Sequence, residues 1–127
     1  MKLKYYTDDN VEMVLEHFSI NDMLQSLLDF GLINEITGIY SDDIFDMCNN
    51  ASLIVAKHLT NYTNDIVICE GVFAMKGNHT WVNVGGIIFD ATLAQFIPSA
   101  PELAVLLENE HYQELKRYTL EEWLETI

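Results

Sequence analysis

Three residues of this chain carry side chains that can act together in covalent catalysis: Cys48, His79 and Asp90. In this order they supply a thiol nucleophile, an imidazole base and a carboxylate that can orient the imidazole. The pattern predicts a helix from Ser41 to Leu59. Cys48 then lies in the first turns of this helix. If the helix begins nearer Phe45, the thiol lies at its N-terminus, where the helix dipole lowers the pKa of a thiol. His79 opens one predicted strand and Asp90 ends the next. A thiol, a base and an orienting carboxylate together favour an activated cysteine.

The pairing of the two strands that carry His79 and Asp90 follows from the turn between them. Gly85-Gly86 is typical of a two-residue hairpin turn, and such a turn pairs Val84 with Ile87. Because side chains alternate along a strand, His79 and Asp90 then lie on the same face as diagonal neighbours. Diagonal neighbours lie about 7–8 Å apart at the backbone, which allows a hydrogen bond between imidazole and carboxylate. A three-residue turn would place the two side chains on opposite faces.

The order and spacing of these residues resemble those of a known family. The chain has Cys48 at a predicted helix start, then His79-Thr-Trp81-Val82 on one strand and Asp90-Ala-Thr92 on the next. This order is similar to that of the transglutaminase-like superfamily, within the papain-like cysteine hydrolases, and the resemblance covers residues 41–95. The cysteine segment Asp46-Met47-Cys48-Asn49 departs from the family pattern, because it lacks the Gly two residues before the cysteine and the Trp after it.

The resemblance implies a cysteine-dependent acyl-transfer enzyme: an amide or peptide hydrolase such as a thiol protease, a deamidase, or a transglutaminase-like crosslinking enzyme. In such an enzyme Cys48 attacks a carbonyl carbon, His79 acts as base and then as acid, and Asp90 orients His79. The backbone N–H of Cys48 is one expected oxyanion donor. Papain-like enzymes often take the second donor from a Gln several residues before the cysteine. This stretch has none, since Gln25 is distant, and Tyr40 is a weaker candidate.

Each of these residues also has a purely structural interpretation. Cys48 alone is typical of a small buried side chain, and Asp90 can shape a turn with Thr92. Cys69 lies in the middle of a predicted strand with no base placed near it, so we expect it to be structural. The site residues could also ligate zinc, but no paired ligands in the sequence support this. We expect neither a metal nor a cofactor.

The remaining pattern predicts the elements that position these residues. Caps and helical spacing predict helices at Thr7 or Asp8 to Phe18, Ser19 to Gly31, Ser41 to Leu59, Pro101 to Asn109 and His111 to Tyr118, and a capping box opens a last turn at Thr119 to Glu122. β-Branched and aromatic runs predict strands over residues 66–69, 72–75, 79–84 and 87–90, with a turn at 76–78. We therefore predict a single α+β domain over residues 1–127. It has N-terminal helices, a central antiparallel meander of at least three strands, C-terminal helices and a papain-like or transglutaminase-like core.

Composition limits the partners of this domain. The chain has 127 residues, with 20 Asp+Glu against 6 Lys+Arg and a formal net charge of −14. Such a charge argues against binding nucleic acid or an anionic membrane. The chain has two cysteines, no secretory signal at its start and no apolar stretch of membrane-span length, so we expect a cytoplasmic protein. The expected partner is a protein or peptide substrate, and the charge permits a basic one.

The same charge supports an alternative function, a non-catalytic acidic binding or inhibitor protein on the same fold. A strongly acidic surface steers a protein toward basic partners and can mimic an anionic ligand. The two hypotheses differ in the role of Cys48. The enzyme requires its thiol, whereas the binding protein does not.

Overall fold

The structure is a computed structural model that describes residues 2–17, 48–61, 63–101 and 103–126 of the chain. Its elements, in chain order, are β1 (Lys2–Tyr6), β2 (Glu12–Glu16), α1 (Cys48–Leu59), β3 (Ile66–Phe73), β4 (Gly77–Val84), β5 (Ile87–Asp90), a 3₁₀ turn (Leu93–Gln95), β6 (Ala104–Leu107), β7 (Tyr112–Thr119) and α2 (Leu120–Glu125). Strands therefore dominate the described part of the chain. Within that part, no helix is both long enough and apolar enough to cross a membrane.

Two antiparallel sheets form the framework. Strands β1 and β2 make a two-stranded hairpin, and the other five strands form one sheet in the order β6-β5-β4-β3-β7. All neighbouring strands of the larger sheet run antiparallel. Its central strand, β4, carries His79, and the adjacent strand β5 ends with Asp90. The sheet therefore brings two of the predicted site residues onto neighbouring strands.

The centre of the large sheet is covered on both faces. On one face, Val55 of α1 and Val82 of β4 belong to one core cluster. On the other face, Leu15 of the β1–β2 hairpin and Trp81 of β4 belong to a second cluster. Because successive side chains of a strand point to opposite faces, His79 lies on the same face as Trp81. The imidazole is therefore enclosed by the second cluster rather than by the packing beneath α1.

The predicted α+β class, with its N-terminal helices and papain-like core, is wrong: the described residues are mostly β-structure. The sequence predicts a helix from Thr7 or Asp8 to Phe18, but the structure has strand β2 within this segment. In this strand Met13 and Leu15 are buried and Val14 between them is exposed, the period of a half-buried strand. Pairing with β1 decides the conformation of this short apolar run. The helix predicted over residues 19–31, and residues 41–47 of the next one, lie outside the described residues.

The predicted C-terminal helices over residues 101–109 and 111–118 are also wrong, because these segments form β6 and β7. β6 pairs with β5 along its whole length, and its first three residues are buried. Periodicity alone cannot distinguish such a strand from a buried helix. β7 is an edge strand whose side chains are mostly exposed, so it shows no clear alternation. The final turn of helix is confirmed: α2 begins with the capping box of Thr119 and Glu122.

The central antiparallel meander is confirmed, since β3, β4 and β5 are consecutive neighbours in the sheet. The turn between β4 and β5 also has the predicted register, with Val84 paired with Ile87. Both residues of this turn, Gly85 and Gly86, have positive φ angles of 58° and 92°. Glycine adopts this left-handed conformation without a steric penalty, which is why a two-residue turn forms here.

The strand before this hairpin differs from the prediction in two details. The two predicted strands are a single strand, β3. Its pairing with β7 shifts register between Glu70 and Gly71, where β7 carries the extra residue Leu115. The turn that follows is formed by Ala74 and Met75, which both have positive φ, rather than by residues 76–78. β4 consequently begins earlier than predicted, at the glycine of the expected turn.

Candidate active site

His79 and Asp90 form a hydrogen-bonded pair in the protein interior. Nε2 of His79 lies 2.7 Å from Oδ2 of Asp90, and the two residues are only 2% and 1% exposed. The regular pairing of β4 with β5 extends only from Val84 to Val82. His79 therefore lies beyond the paired segment and contacts the last residue of β5. The diagonal relationship predicted from the hairpin register brings the two side chains together.

The carboxylate of Asp90 is held by further hydrogen bonds. The backbone N–H of Thr92 donates to Oδ1 at 3.0 Å, and the hydroxyl of Tyr112 donates to Oδ2 at 2.8 Å. The turn-forming role predicted for Asp90 and its contact with His79 are thus compatible, because each uses a different oxygen. An ionised carboxylate only accepts hydrogen bonds, so Nε2 of His79 carries a proton. In the neutral ring, Nδ1 is then the basic nitrogen.

Cys48 is the first residue of α1 and is partly exposed. Two hydrogen bonds attach the start of α1 to the residue that follows His79 in β4. The hydroxyl of Ser52 donates to the carbonyl oxygen of Thr80 at 3.2 Å, and the hydroxyl of Thr80 donates to Oδ1 of Asn49 at 2.7 Å. This attachment places Cys48 beside the part of β4 that carries His79, and both residues line one cleft.

The contact between the thiol and the imidazole changes the acidity of both groups. Burial alone would raise the pKa of Cys48, but hydrogen bonding to His79, its positive charge and hydrogen bonds with Thr80 lower this pKa below its usual value. Burial alone would lower the pKa of His79, but Asp90 and the thiol of Cys48 raise it to about 9. Both shifts stabilise a thiolate–imidazolium pair, which is the reactive form of a cysteine nucleophile.

Aromatic side chains surround the imidazole. The ring centroids of Phe96, Trp81, Phe73 and Tyr112 lie 5.0, 5.9, 6.1 and 6.3 Å from the centroid of His79. Phe96 meets the imidazole edge-on, at an interplanar angle of 89°. These rings keep water away from the imidazole, and exclusion of water strengthens its electrostatic interactions with neighbouring groups.

An open cleft of about 390 Å³ adjoins the thiol. Its lining comes from α1, β3, β4 and β7, and consists of Cys48, Asn49, Glu70, Gly71, Asn78, His79, Thr80, Leu115 and Lys116. Because both Cys48 and His79 line this cleft, a molecule bound there lies next to the thiol and close to the buried imidazole. The lining contains apolar side chains and charged side chains of both signs.

The backbone N–H of Cys48 is the oxyanion donor expected from the sequence. Residues 41–47, which precede Cys48 in the chain, lie outside the described residues. A donor at Cys48 can stabilise the oxyanion that forms when the thiolate attacks a carbonyl group. The other residues considered for this role, Gln25 and Tyr40, lie outside the described residues.

The second cysteine has a different environment. Cys69 is buried in β3, and its S–H donates to Oε1 of Glu114 at 3.0 Å. Burial and the neighbouring carboxylate raise the pKa of Cys69, which keeps the thiol protonated and unreactive. Within the described ranges, no group of three or more His, Cys, Asp or Glu side chains is arranged to hold a metal ion.

Two side chains that contact His79 or Asp90 were not predicted from the sequence. The sequence pattern predicts a helix at Tyr112, and only the pairing of β7 with β3 brings its hydroxyl to Asp90. Gln95 lies on the 3₁₀ turn after β5, and its amide nitrogen is 3.0 Å from Nδ1 of His79. The short separation of Gln95 from Asp90 along the chain is a signal that could have identified it.

We compared the chain with models of protein families, with curated proteins and with solved structures. None of the three comparisons gave a match.

Proposed function

We propose that this protein is a cysteine-dependent acyl-transfer enzyme in which Cys48 is the nucleophile, His79 the base and Asp90 the orienting carboxylate. The observation that supports this most strongly is the buried 2.7 Å hydrogen bond between Nε2 of His79 and Asp90, with Cys48 lining the same cleft as His79. Groups whose pKa is shifted by burial and by a specific charged partner are concentrated at functional sites. The three residues match the roles that acyl transfer requires.

In the first half of the proposed reaction, the thiol proton of Cys48 moves to Nδ1 of His79, which gives a thiolate and an imidazolium. The thiolate attacks the carbonyl carbon of an amide, and a carbon–sulfur bond forms. His79 then donates its proton to the leaving nitrogen as the carbon–nitrogen bond breaks. The amine leaves and the acyl group remains on Cys48 as a thioester.

In the second half, water or an amine attacks the thioester carbon. His79 accepts a proton from this second nucleophile, the carbon–sulfur bond breaks, and Cys48 leaves as a thiolate. Water as the acceptor gives hydrolysis or deamidation, whereas an amine gives a transferred or crosslinked product. Asp90 keeps the Nε2 proton in place throughout and stabilises the imidazolium.

The proposed substrate is a protein or peptide amide, with preference for a basic sequence. The net charge of −14 attracts cationic chains and repels nucleic acid and anionic membranes. Both cysteines in the described part of the chain are free thiols, and a reduced Cys48 is required for the reaction. A reducing compartment such as the cytoplasm is therefore the proposed location.

Detection of a thioester on Cys48 is the direct chemical test. The protein would be incubated with an activated ester, p-nitrophenyl acetate, quenched in acid and analysed by mass spectrometry of its peptides. We expect an acetyl group on the peptide that contains Cys48, and loss of this product in Cys48→Ala. Cys69→Ala removes the buried thiol and is the matched control, which should still be acetylated. An unmodified Cys48, or equal acetylation in His79→Ala, would contradict the proposal.

A further inference from the structure

Gln95 contacts the imidazole nitrogen that the proposed mechanism uses. Its amide nitrogen lies 3.0 Å from Nδ1 of His79, while Asp90 lies against Nε2. In the neutral ring with a proton on Nε2, Nδ1 has one lone pair and no proton. Gln95 therefore donates a hydrogen bond to Nδ1, and the thiol of Cys48 must use the same lone pair when it transfers its proton.

The hydrogen-bond partners of the two imidazole nitrogens, Asp90 and Gln95, belong to one short segment of the chain. The backbone N–H of Thr92 donates to Asp90 at 3.0 Å, and the backbone N–H of Gln95 donates to the carbonyl oxygen of Thr92 at 3.2 Å. Leu93, between them, is fully buried and anchors the turn in the core. The positions of the carboxylate and the amide around His79 are thus coupled through Thr92.

We propose that Gln95 is a positioning residue that stabilises neutral His79 and competes with the Cys48 thiol for Nδ1. This inference rests on the proposed function, because the competition matters only if Nδ1 receives the thiol proton. Once Nδ1 carries a proton, it is a hydrogen-bond donor and can no longer accept from the amide of Gln95. Gln95 must then release the ring or turn its carbonyl oxygen toward it. The thiolate of Cys48 becomes the partner of the protonated ring.

The electrostatic surroundings of His79 define what a titration would report. Among the described residues, the titratable groups that face the imidazole are Cys48 from α1, Asp90 from the end of β5 and Tyr112 from β7. Gln95 carries no charge, so replacing it with another neutral side chain leaves these charges unchanged. A shift in the titration of His79 would then report the hydrogen bond to Nδ1.

The test is ¹⁵N NMR titration of His79 in the full chain, with Gln95→Met as the main variant. Methionine keeps the length of the side chain but cannot donate to Nδ1. Loss of a donor to the neutral ring should raise the titration midpoint by about half to one pH unit. An unchanged or lower midpoint would overturn the proposal. Gln113→Leu changes an exposed glutamine of β7 and is the matched control, with no expected shift.

Two additional measurements test the effect of Gln95 on His79 independently of the proposed function. In Gln95→Glu an acceptor replaces the donor, so the midpoint should rise further, and no rise would also overturn the proposal. The same titrations in a Cys48→Ala background should show the same direction of change for Gln95→Met. If Cys48 shows ordinary thiol reactivity in the wild type, the proposed function fails. The effect of Gln95 on His79 is measured separately, and its absence would reject this inference alone.

Discussion

One carboxylate oxygen, Oδ2 of Asp90, accepts hydrogen bonds from both Nε2 of His79 and the hydroxyl of Tyr112, at 2.7 and 2.8 Å. The two donors come from β4 and β7, which are separated in the sheet by β3. The second oxygen of Asp90 is held by the backbone of Thr92. The carboxylate is therefore fixed from three directions, and the orientation of His79 follows from it.

Replacement of Asp90 by Asn should reduce the reactivity of Cys48. Asparagine has nearly the same shape, but its NH₂ group can face His79 and favour the wrong tautomer. In a serine triad this change lowers turnover about 10⁴-fold, and we expect a smaller loss here because a Cys–His ion pair depends less on its orienting residue. Because Asp90 is buried and accepts several hydrogen bonds, we also expect a stability loss of about 1–3 kcal/mol. Thermal melts and alkylation rates of Asp90→Asn would measure both effects, and no change in either would remove Asp90 from the site.

Replacement of Tyr112 by Phe should have a smaller effect on the same two measurements. The phenyl ring keeps the packing against Phe73 and Trp81 but loses the hydrogen bond to Asp90. We expect a stability loss of about 1 kcal/mol and a reduction in Cys48 alkylation weaker than that of Asp90→Asn. Tyr118→Phe, on the same strand but in the core cluster beneath α1, is the control and should leave alkylation unchanged. An alkylation loss in Tyr118→Phe as large as in Tyr112→Phe would refute a specific role for Tyr112.

Gly71 should not tolerate a side chain. A methyl group on Gly71 would lie 2.0 Å from the carbonyl oxygen of Gln113 and 2.9 Å from the indole of Trp81. Gly71→Ala should therefore destabilise the protein by about 3 kcal/mol or more, since the backbone of β7 must shift. Gly77→Ala is a matched control, because its methyl group would come no closer than 3.7 Å to Phe96. Chemical denaturation would compare them, and equal stability of the two variants would show that β7 does not approach β3 this closely.

The contact between His79 and Asp90 could be predicted because it depends on local chain geometry. The two-residue turn at Gly85-Gly86 determines the register, and the alternation of side chains then places His79 and Asp90 on one face. Cys48 could be proposed because it lies in the first turns of the predicted helix and precedes His79 and Asp90 in the order of the family that the chain resembles. The participation of Tyr112 could not be predicted, since it depends on a pairing of β7 with β3 that joins distant parts of the chain.

The fold class could not be predicted because two segments owe their conformation to partners remote in sequence. The apolar run of β6 has no alternation, because after pairing with β5 its residues pack into the core clusters on both faces of the sheet. β7 is exposed along most of its length, so its side chains carry no period-two signal. Short segments of this kind follow tertiary pairing rather than intrinsic propensity. The capping box at Thr119 was predictable because its hydrogen bonds are local.

The pH dependence of Cys48 alkylation tests the central claim most directly. Because His79 lowers the pKa of Cys48, the iodoacetamide reaction of the wild type should reach half its maximal rate below the ordinary thiol value of about 8.5. In His79→Ala, burial of the thiol remains while the stabilising imidazolium is lost. The half-maximal pH should therefore move upward, above the wild-type value. A wild-type midpoint at or above the ordinary thiol value, unchanged in His79→Ala, would contradict the thiolate–imidazolium pair on which the proposed acyl transfer depends.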